Sequence, residues 1–499
     1  MKAQSLSNAE MAEFLVDGYV QVEPASLDDA DHDHFYHAAD AIYRDVSRHP
    51  SPNQHLDVLG DDALRNRIPE LTKLLTDPAL REVLTTLLGP DYFIHPHCFL
   101  HEANTTDQGF HQDGNLPWNE RGHYRPHRPD WALLFYYPQA VTLRNGPTEV
   151  VPGSQYWTKD FEKADGGWHR GDAFDRSYRE EIMNHPDLDY RDQRNEAALR
   201  SLGVPNLERR FITVPKGQAV ICHYDIAHRG SRQIPDQPPR YMYKFYFART
   251  HQPTSNSKPA PASLDARPEI EPIVRHCWNW ANGQVTSPSN GENLESRALL
   301  FTGREDEKVA SAYQLAAMSE IEPLASGLTA EAESVRRAAA YGLRAMGPAA
   351  VPTLLKHATD TRSSTRRFAV FALGNASNAI NEAVVNKLLE AIKTEPDDLA
   401  RCNAAYALGH LCRGTLSDPE LVCEEILARL RQGVEPDNTK VAGLARSTVR
   451  QSLAYALLQL AENHSLTQTT QQTIAAMGSD RDRYVAGFAR EIMNRLGRG

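Results

Sequence analysis

After about Leu300 one pattern recurs: a basic residue, then small residues, then a leucine seven positions on. It stands at Lys308/Leu315, Arg336/Leu343, Arg366/Leu373, Arg401/Leu408 and Arg450/Leu457, in segments such as VRRAAAYGLRAMG and RCNAAYALG. Small residues at helical spacing let paired helices approach closely, and Gly347, Gly374 and Gly409 suit helix C-caps. The units start 28, 30, 35 and 49 residues apart, which fits helix pairs stacked into a solenoid. The longest interval leaves room for a surface loop around GVEPDNTK, and a last, degenerate unit is RYVAGFAREIMNRL.

The first 250 residues are of another kind, with short aromatic and β-branched strand-like runs between polar turns. Between the two halves, THQPTSNSKPAPASLDARPEIEP packs prolines and serines into a stretch that cannot sustain a helix or a central strand. A chain of 499 residues exceeds what one core serves, so the expected division is a first domain over 1–250, a linker or strap over 251–300 and a helical domain over 301–499. The segments from about Glu307 to Leu496 resemble HEAT or HEAT-like repeats, with a plain helical bundle as the alternative.

A net charge of -11 argues against a general phosphate-binding surface, so nucleic acid is not the expected partner. No apolar run reaches the roughly 20 residues that span a bilayer, and MKAQSLSNAEMAEF lacks the apolar core of a signal peptide, so the expected location is cytoplasmic with no membrane partner. Cys98, Cys222, Cys277, Cys402, Cys412 and Cys423 form no C-x-x-C pair and read as reduced, mostly buried thiols.

Non-haem iron oxygenases need two histidines and one carboxylate on one side of the metal. A His-x-Asp on a strand supplies two of them, because residues i and i+2 point the same way. Four such triplets occur, beginning at His55, His111, His185 and His223. His55 follows SPNQ in a polar stretch and His185 precedes a proline in HPDLDY, so both read as solvated surface residues. His111-Gln112-Asp113 sits in QGFHQDGNLPW, after the run YFIHPHCFLH, with Trp118 close by. The third ligand is His223 or His228.

Three separated motifs, QGFHQDGNLPW, Arg144 to Ser154 (RNGPTEVVPGS) and ICHYDIAHRGSRQ, resemble in order the signature of the phytanoyl-CoA dioxygenase family, and the opening LSNAEMAEFLVDGYVQV is similar to its N-terminal helix. The resemblance implies a double-stranded β-helix core (jelly-roll, cupin-like) with flanking helices, followed here by the all-α HEAT-like solenoid. It implies ferrous iron, Fe(2+), held by His111, Asp113 and His228, with His223 lining or bracing the site, and 2-oxoglutarate and O2 as cosubstrates. Arg240 would take the distal carboxylate, with Ser231, His97 and Trp118 as further cosubstrate contacts. Arg240 falls twelve residues after His228, one more than is usual in the family, and Arg232 is its nearer rival, read as an exposed turn residue. Gln155 stands where the family often has histidine.

On RYMYKFYFAR, Arg240, Met242, Lys244 and Tyr246 share one face; on YFIHPHCFLH, His95, His97, Phe99 and His101 do. Those imidazoles are read as hydrogen-bonding residues of a polar interior, with a second metal site as the alternative. Halogenating relatives lack the carboxylate, so the resemblance with Asp113 present favours hydroxylation of a small-molecule C–H over halogenation, with desaturation or ring chemistry left open. Residues 156–207 are long for a strand connection and are expected as a lid. The other readings are a polypeptide hydroxylase using the concave face of the repeats, and a non-catalytic scaffold. The repeats themselves are expected to bind a protein partner or to self-associate.

Overall fold

The computed structural model describes residues 6–45, 53–57, 63–113, 125–163, 169, 173–175, 180–254, 267–284, 293–376, 381–432, 440–441, 444–445 and 448–497. Nine strands build two antiparallel sheets: β1 (Tyr19–Val22), β2 (Asn53–Asp57), β3 (Phe93–Glu102), β4 (Trp131–Tyr136), β5 (Thr148–Val150), β6 (Arg210–Ile212), β7 (Ala219–His223), β8 (His228–Gly230) and β9 (Tyr241–Ala248). The larger sheet runs β1-β7-β4-β9-β3-β2 and the smaller β6-β5-β8, the double-stranded β-helix of a cupin-like fold. Strand β9 is buried along its whole length because both faces are covered. Lys244 and Tyr246 look between the sheets, whereas the Tyr243 hydroxyl donates to the Phe35 carbonyl at 2.7 Å, under a helix.

Helices α1 (Asn8–Asp17), α2 (Asp29–Arg44), α3 (Leu64–Arg67), α4 (Leu71–Leu75) and α5 (Pro78–Leu88) flank the strands, and α6 (Glu180–Met183) and α7 (Leu188–Arg200) follow β5. The stretch expected as a linker holds α8 (Glu271–Ala281) and the start of α9 (Leu294–Thr302). Pro272 does not prevent α8, because it falls in the first turn, where no N–H is needed. Ile273, Val274, Cys277 and Trp278 bury one face of α8 against α1 and the first repeat.

The remaining helices are α10 (Glu305–Ala317), α11 (Ile321–Gly327), α12 (Glu333–Met346), α13 (Val351–His357), α14 (Ser363–Ala376), α15 (Glu382–Thr394), α16 (Asp398–Leu411), α17 (Pro419–Gln432), α18 (Thr448–Asn463), α19 (Gln468–Ala476) and α20 (Arg483–Leu496). The even-numbered members, from α10 to α20, stack on one another in sequence as an inner layer, and every Lys/Arg–Leu pair lies on one of them. Two glycines correct the sequence reading. Gly347 ends α12 at φ +68°, but Gly374 and Gly409 lie inside α14 and α16. A Cβ on Gly374 would stand 2.4 Å from Ala407, so this glycine serves close helix approach, not capping. The loop around GVEPDNTK lies outside the described residues except for Lys440. Among the described residues no helix is long and apolar enough to cross a membrane, and all six cysteines are buried and unbridged.

The inner layer faces the strand domain of its own chain. Five positions after each basic residue stands an aromatic ring: Tyr313, Tyr341, Phe371, Tyr406 and Tyr455. Residues 125–131, leading into β4, run along this row. The Arg125 N–H donates to Tyr341 Oη at 2.6 Å, His127 Nδ1 meets Tyr313 Oη at 2.8 Å, and Trp131 packs on Tyr455 with centroids 5.5 Å apart. Arg413 and Asp130, both sealed from solvent, pair at 2.6 Å across the contact, and Arg413 also donates to Tyr455 and Gln459. Arg413→Met leaves the Asp130 carboxylate buried without its partner, and the expected loss of stability is about 3–5 kcal/mol by denaturant unfolding. A loss below about 1 kcal/mol, the range of exposed pairs, contradicts this account.

A second joint carries a pH dependence. Glu333, at the start of α12, accepts the N–H groups of Phe161 and Glu162, both at 2.6 Å. Burial, opposed by Arg337 and reinforced by Asp160, pushes its carboxyl up to about 7 from 4.5. A raised folded-state value means that this group's contribution is complete below the unfolded value and is lost as pH rises through about 7. Glu333→Gln keeps an acceptor for both N–H groups without the charge. Between pH about 5 and about 8, the parent's unfolding midpoint is therefore expected to fall relative to the variant's, and parallel curves would refute the assignment.

Candidate metal centre

His111 and His228, far apart in the chain, are brought together by the backbone. His111 N–H donates to His228 O at 3.1 Å and His228 N–H to His111 O at 2.9 Å, a narrow antiparallel bridge on the open side of β8. Each ring then ties Nδ1–H to a nearby carbonyl, Gly109 O for His111 and Ile226 O for His228, both at 3.0 Å. That fixes the tautomer and leaves both Nε2 lone pairs facing one place. Asp113 Oδ1 lies 3.8 Å from His111 Nε2 and 3.7 Å from His228 Nε2, and one donor atom from each residue falls within 4.8 Å of the others. Gln112, between His111 and Asp113, points away and donates to the carbonyls of Ser154, Trp157 and Asp225, which locks the turn.

The electrostatics suit a cation. Burial would raise the Asp113 carboxyl, but the Lys244 ammonium and then the two imidazoles outweigh it and hold the group well below the usual carboxylate range. Burial, with Lys244 second, pushes His228 down to about 3, so it is a neutral donor at ordinary pH. Lys244 Nζ, reaching over from β9, sits 2.5 Å from Asp113 Oδ2 and 3.2 Å from His228 Nε2. Asp113 and His228 thus already hold a positive group, and two imidazole nitrogens with one carboxylate fit a divalent transition metal. His111 is half-buried and the other two are buried.

Arg240 is 3 % exposed and belongs to the same inward face. Its Nε and Nη2 donate to Gly146 O at 2.9 and 2.5 Å, while Nη1 has no hydrogen-bond partner among the described residues. Gly146 holds φ +77°, and a Cβ there would stand 2.9 Å from both Ala103 Cβ and Ser231 O, so glycine alone lets its carbonyl meet the guanidinium. Arg232 is committed to Asp107 and Asp192.

The other expected site residues divide. The Ser231 hydroxyl donates to Pro147 O at 2.6 Å and is taken up by the turn. His97 bonds Tyr484 of the repeats and stacks on Tyr246. His223 bonds the His127 carbonyl and braces the wall. Gln155 holds the end of α1 through Leu15 O at 3.0 Å. Trp118 lies outside the described residues, as does part of the expected lid. The β3 imidazoles form no metal-holding group among the described residues. A second such group, Asp91–His251–Glu462, includes an exposed aspartate and a glutamate already paired with Arg495. Sequence reasoning placed Lys244 and Tyr246 on the correct face but gave them no task. Tyr246 Oη donates to Asp113 Oδ2 at 3.2 Å.

Residues 10–240 match the family model described as phytanoyl-CoA dioxygenase (PhyH), and residues 321–409 match HEAT repeats. No curated protein sequence matches the chain. Similar solved structures include EctD from S. alaskensis with 2-oxoglutarate and 5-hydroxyectoine, 16% identical over 53% of this chain and 88% of that one, TM-score 0.33. Others are AviO1 from Streptomyces viridochromogenes Tue57, at 14%, 52%, 100% and 0.32, and the epimerase SnoN in complex with Fe3+, alpha ketoglutarate and nogalamycin RO, at 16%, 52%, 88% and 0.31.

Proposed function

Residues 10–240 are a phytanoyl-CoA dioxygenase-family domain joined to HEAT repeats, and on that premise we propose that the chain is an Fe(II)- and 2-oxoglutarate-dependent dioxygenase that hydroxylates a C–H bond of a small molecule. The observation that carries the reading is the pair of imidazoles with Nδ1 tied back and Nε2 turned toward one carboxylate. His111, Asp113 and His228 hold the metal. Ferrous iron with 2-oxoglutarate supplies the oxidation, releasing succinate and CO2 as one oxygen atom enters the substrate.

The chain's own residues bind and orient. Arg240, whose Nη1 has no partner among the described residues, offers that nitrogen to the distal carboxylate of the cosubstrate from a buried position. Lys244 and Tyr246 fix the Asp113 carboxylate, one by charge and one by a hydrogen bond. Phe99 and Phe135, over which the Lys244 ammonium lies, keep the interior dry. Asp113 would supply the carboxylate that halogenating relatives lack. A small molecule is favoured over a polypeptide because the aromatic row of the repeats is covered by residues 125–131 of the same chain.

The test is Fe(II)-dependent conversion of 2-oxoglutarate to succinate by the full chain, with a panel of small molecules, beside Asp113→Ala. The reading predicts succinate above the variant's background, rising with one class of compound. Equal traces from the two chains under every condition would sink it.

A further inference from the structure

The last helix of the repeat array is linked to Asp113 through two intervening side chains. On α20, Tyr484 is 1 % exposed, and its hydroxyl meets His97 Nδ1 at 3.0 Å. His97 stacks on Tyr246 with centroids 5.8 Å apart at 24°, and Tyr246 Oη donates to Asp113 Oδ2 at 3.2 Å. Side chains thus run without a break from the repeats to a proposed metal ligand, although Tyr484 and His97 are 387 positions apart.

Two features show that this contact is built. Gly487 lies against Pro96, and a Cβ there would stand 2.3 Å from Pro96 Cβ, so a larger residue would lift α20 off β3. Asp482 caps α20 through the N–H groups of Tyr484 and Val485, and its other oxygen accepts from Gln451 on α18. The phenol's position is therefore set by the neighbouring repeat. Phe488, one turn on, packs on His95 with centroids 5.3 Å apart.

We propose that Tyr484 is a positioning residue of the oxygenase site: through His97 and Tyr246 the repeat array sets the orientation of the Asp113 carboxylate. The inference rests on the reading of His111, Asp113 and His228 as metal ligands. The two oxygens of Asp113 have separate tasks. Oδ1 is the one near both Nε2 atoms, and Oδ2 is held by Lys244 and Tyr246. A Tyr246 ring free to shift lets the carboxylate turn, and His97, pinned by Tyr484, is the ring stacked on it. On this account the repeats are part of the catalytic unit, and removing them unseats the site as well as exposing Trp131 and Phe93.

The probe is Co(II) alone, titrated into the full chain and followed by its visible absorption, beside thermal unfolding without metal. Tyr484→Phe deletes only the hydroxyl, and His97→Phe keeps a ring against Tyr246 without the acceptor. Outer partners of metal ligands commonly govern affinity by 10–100-fold, and two links further out we expect each variant to bind Co(II) about three- to tenfold more weakly, with a shifted band. The double variant should be no worse than either single one, since both cut the same link. Melting of the metal-free Tyr484→Phe chain should stay close to that of the parent. Parent-like affinity and spectrum in Tyr484→Phe overturn the proposal. If that variant proves poorly folded, parent-like binding by His97→Phe does the same. Should Asp113→Ala bind Co(II) as well as the parent, the ligand reading itself falls and this inference with it.

Discussion

Asp113→Ala in the full chain is expected to weaken Fe(II) binding by more than about a hundredfold, since loss of an outer partner alone costs 10–100-fold and here a proposed ligand goes. Succinate formation should disappear with it. The effect is large for a second reason: Lys244 loses the carboxylate 2.5 Å from its ammonium and stays buried among Phe99, Phe135 and Tyr246. An uncompensated buried charge costs about 3–5 kcal/mol, so the metal-free variant should also unfold at lower denaturant. Removing the charge on both sides, with Lys244→Met added, should restore stability but not metal binding. Anaerobic calorimetry with Fe(II) and denaturant unfolding separate the two effects; undiminished iron affinity in Asp113→Ala would refute the first.

Arg240→Met carries the second large effect. The guanidinium is buried, two of its nitrogens are spent on Gly146 O, and the third has no partner among the described residues. Truncating one side of a buried charged pair costs about 2–5 kcal/mol, which is roughly thirtyfold to a few thousandfold in affinity. The KM for 2-oxoglutarate should rise by at least about thirtyfold, while Fe(II) affinity stays near the parent's because no donor is touched. A 2-oxoglutarate KM that does not move would return the choice to Arg232, whose bonds to Asp107 and Asp192 argue against it.

Much of this could be read from the sequence because it follows local periodicity. Alternation along RYMYKFYFAR put Arg240, Lys244 and Tyr246 on one face, and the Arg-to-Leu repeat located the inner helices one by one. What each inward side chain would meet was not legible, since that depends on how closely two sheets approach. Lys244 finds Asp113 only because β9 of one sheet lies across from β8 of the other. The interface between the halves was missed for a related reason. A tyrosine five positions after each basic residue reads as ordinary repeat core, and only its recurrence at 313, 341, 406 and 455, with Phe371 between, marks a continuous face. Gly374 and Gly409 misled because glycine near a helix end serves both capping and close packing, and the helix turned out to run past them. Helix α8 was hidden by prolines that fall at or before its first turn.

Central to all of this is that His111, Asp113 and His228 grip one ferrous ion beside Arg240. Anaerobic titration of the full chain with Fe(II) and 2-oxoglutarate, read through the weak visible charge-transfer band that forms when the cosubstrate chelates iron, tests it most directly. The account predicts a saturable band in the parent, a far higher 2-oxoglutarate requirement in Arg240→Met and no band in Asp113→Ala. A parent that shows no band, or an Asp113→Ala chain that shows the parent's, would contradict it.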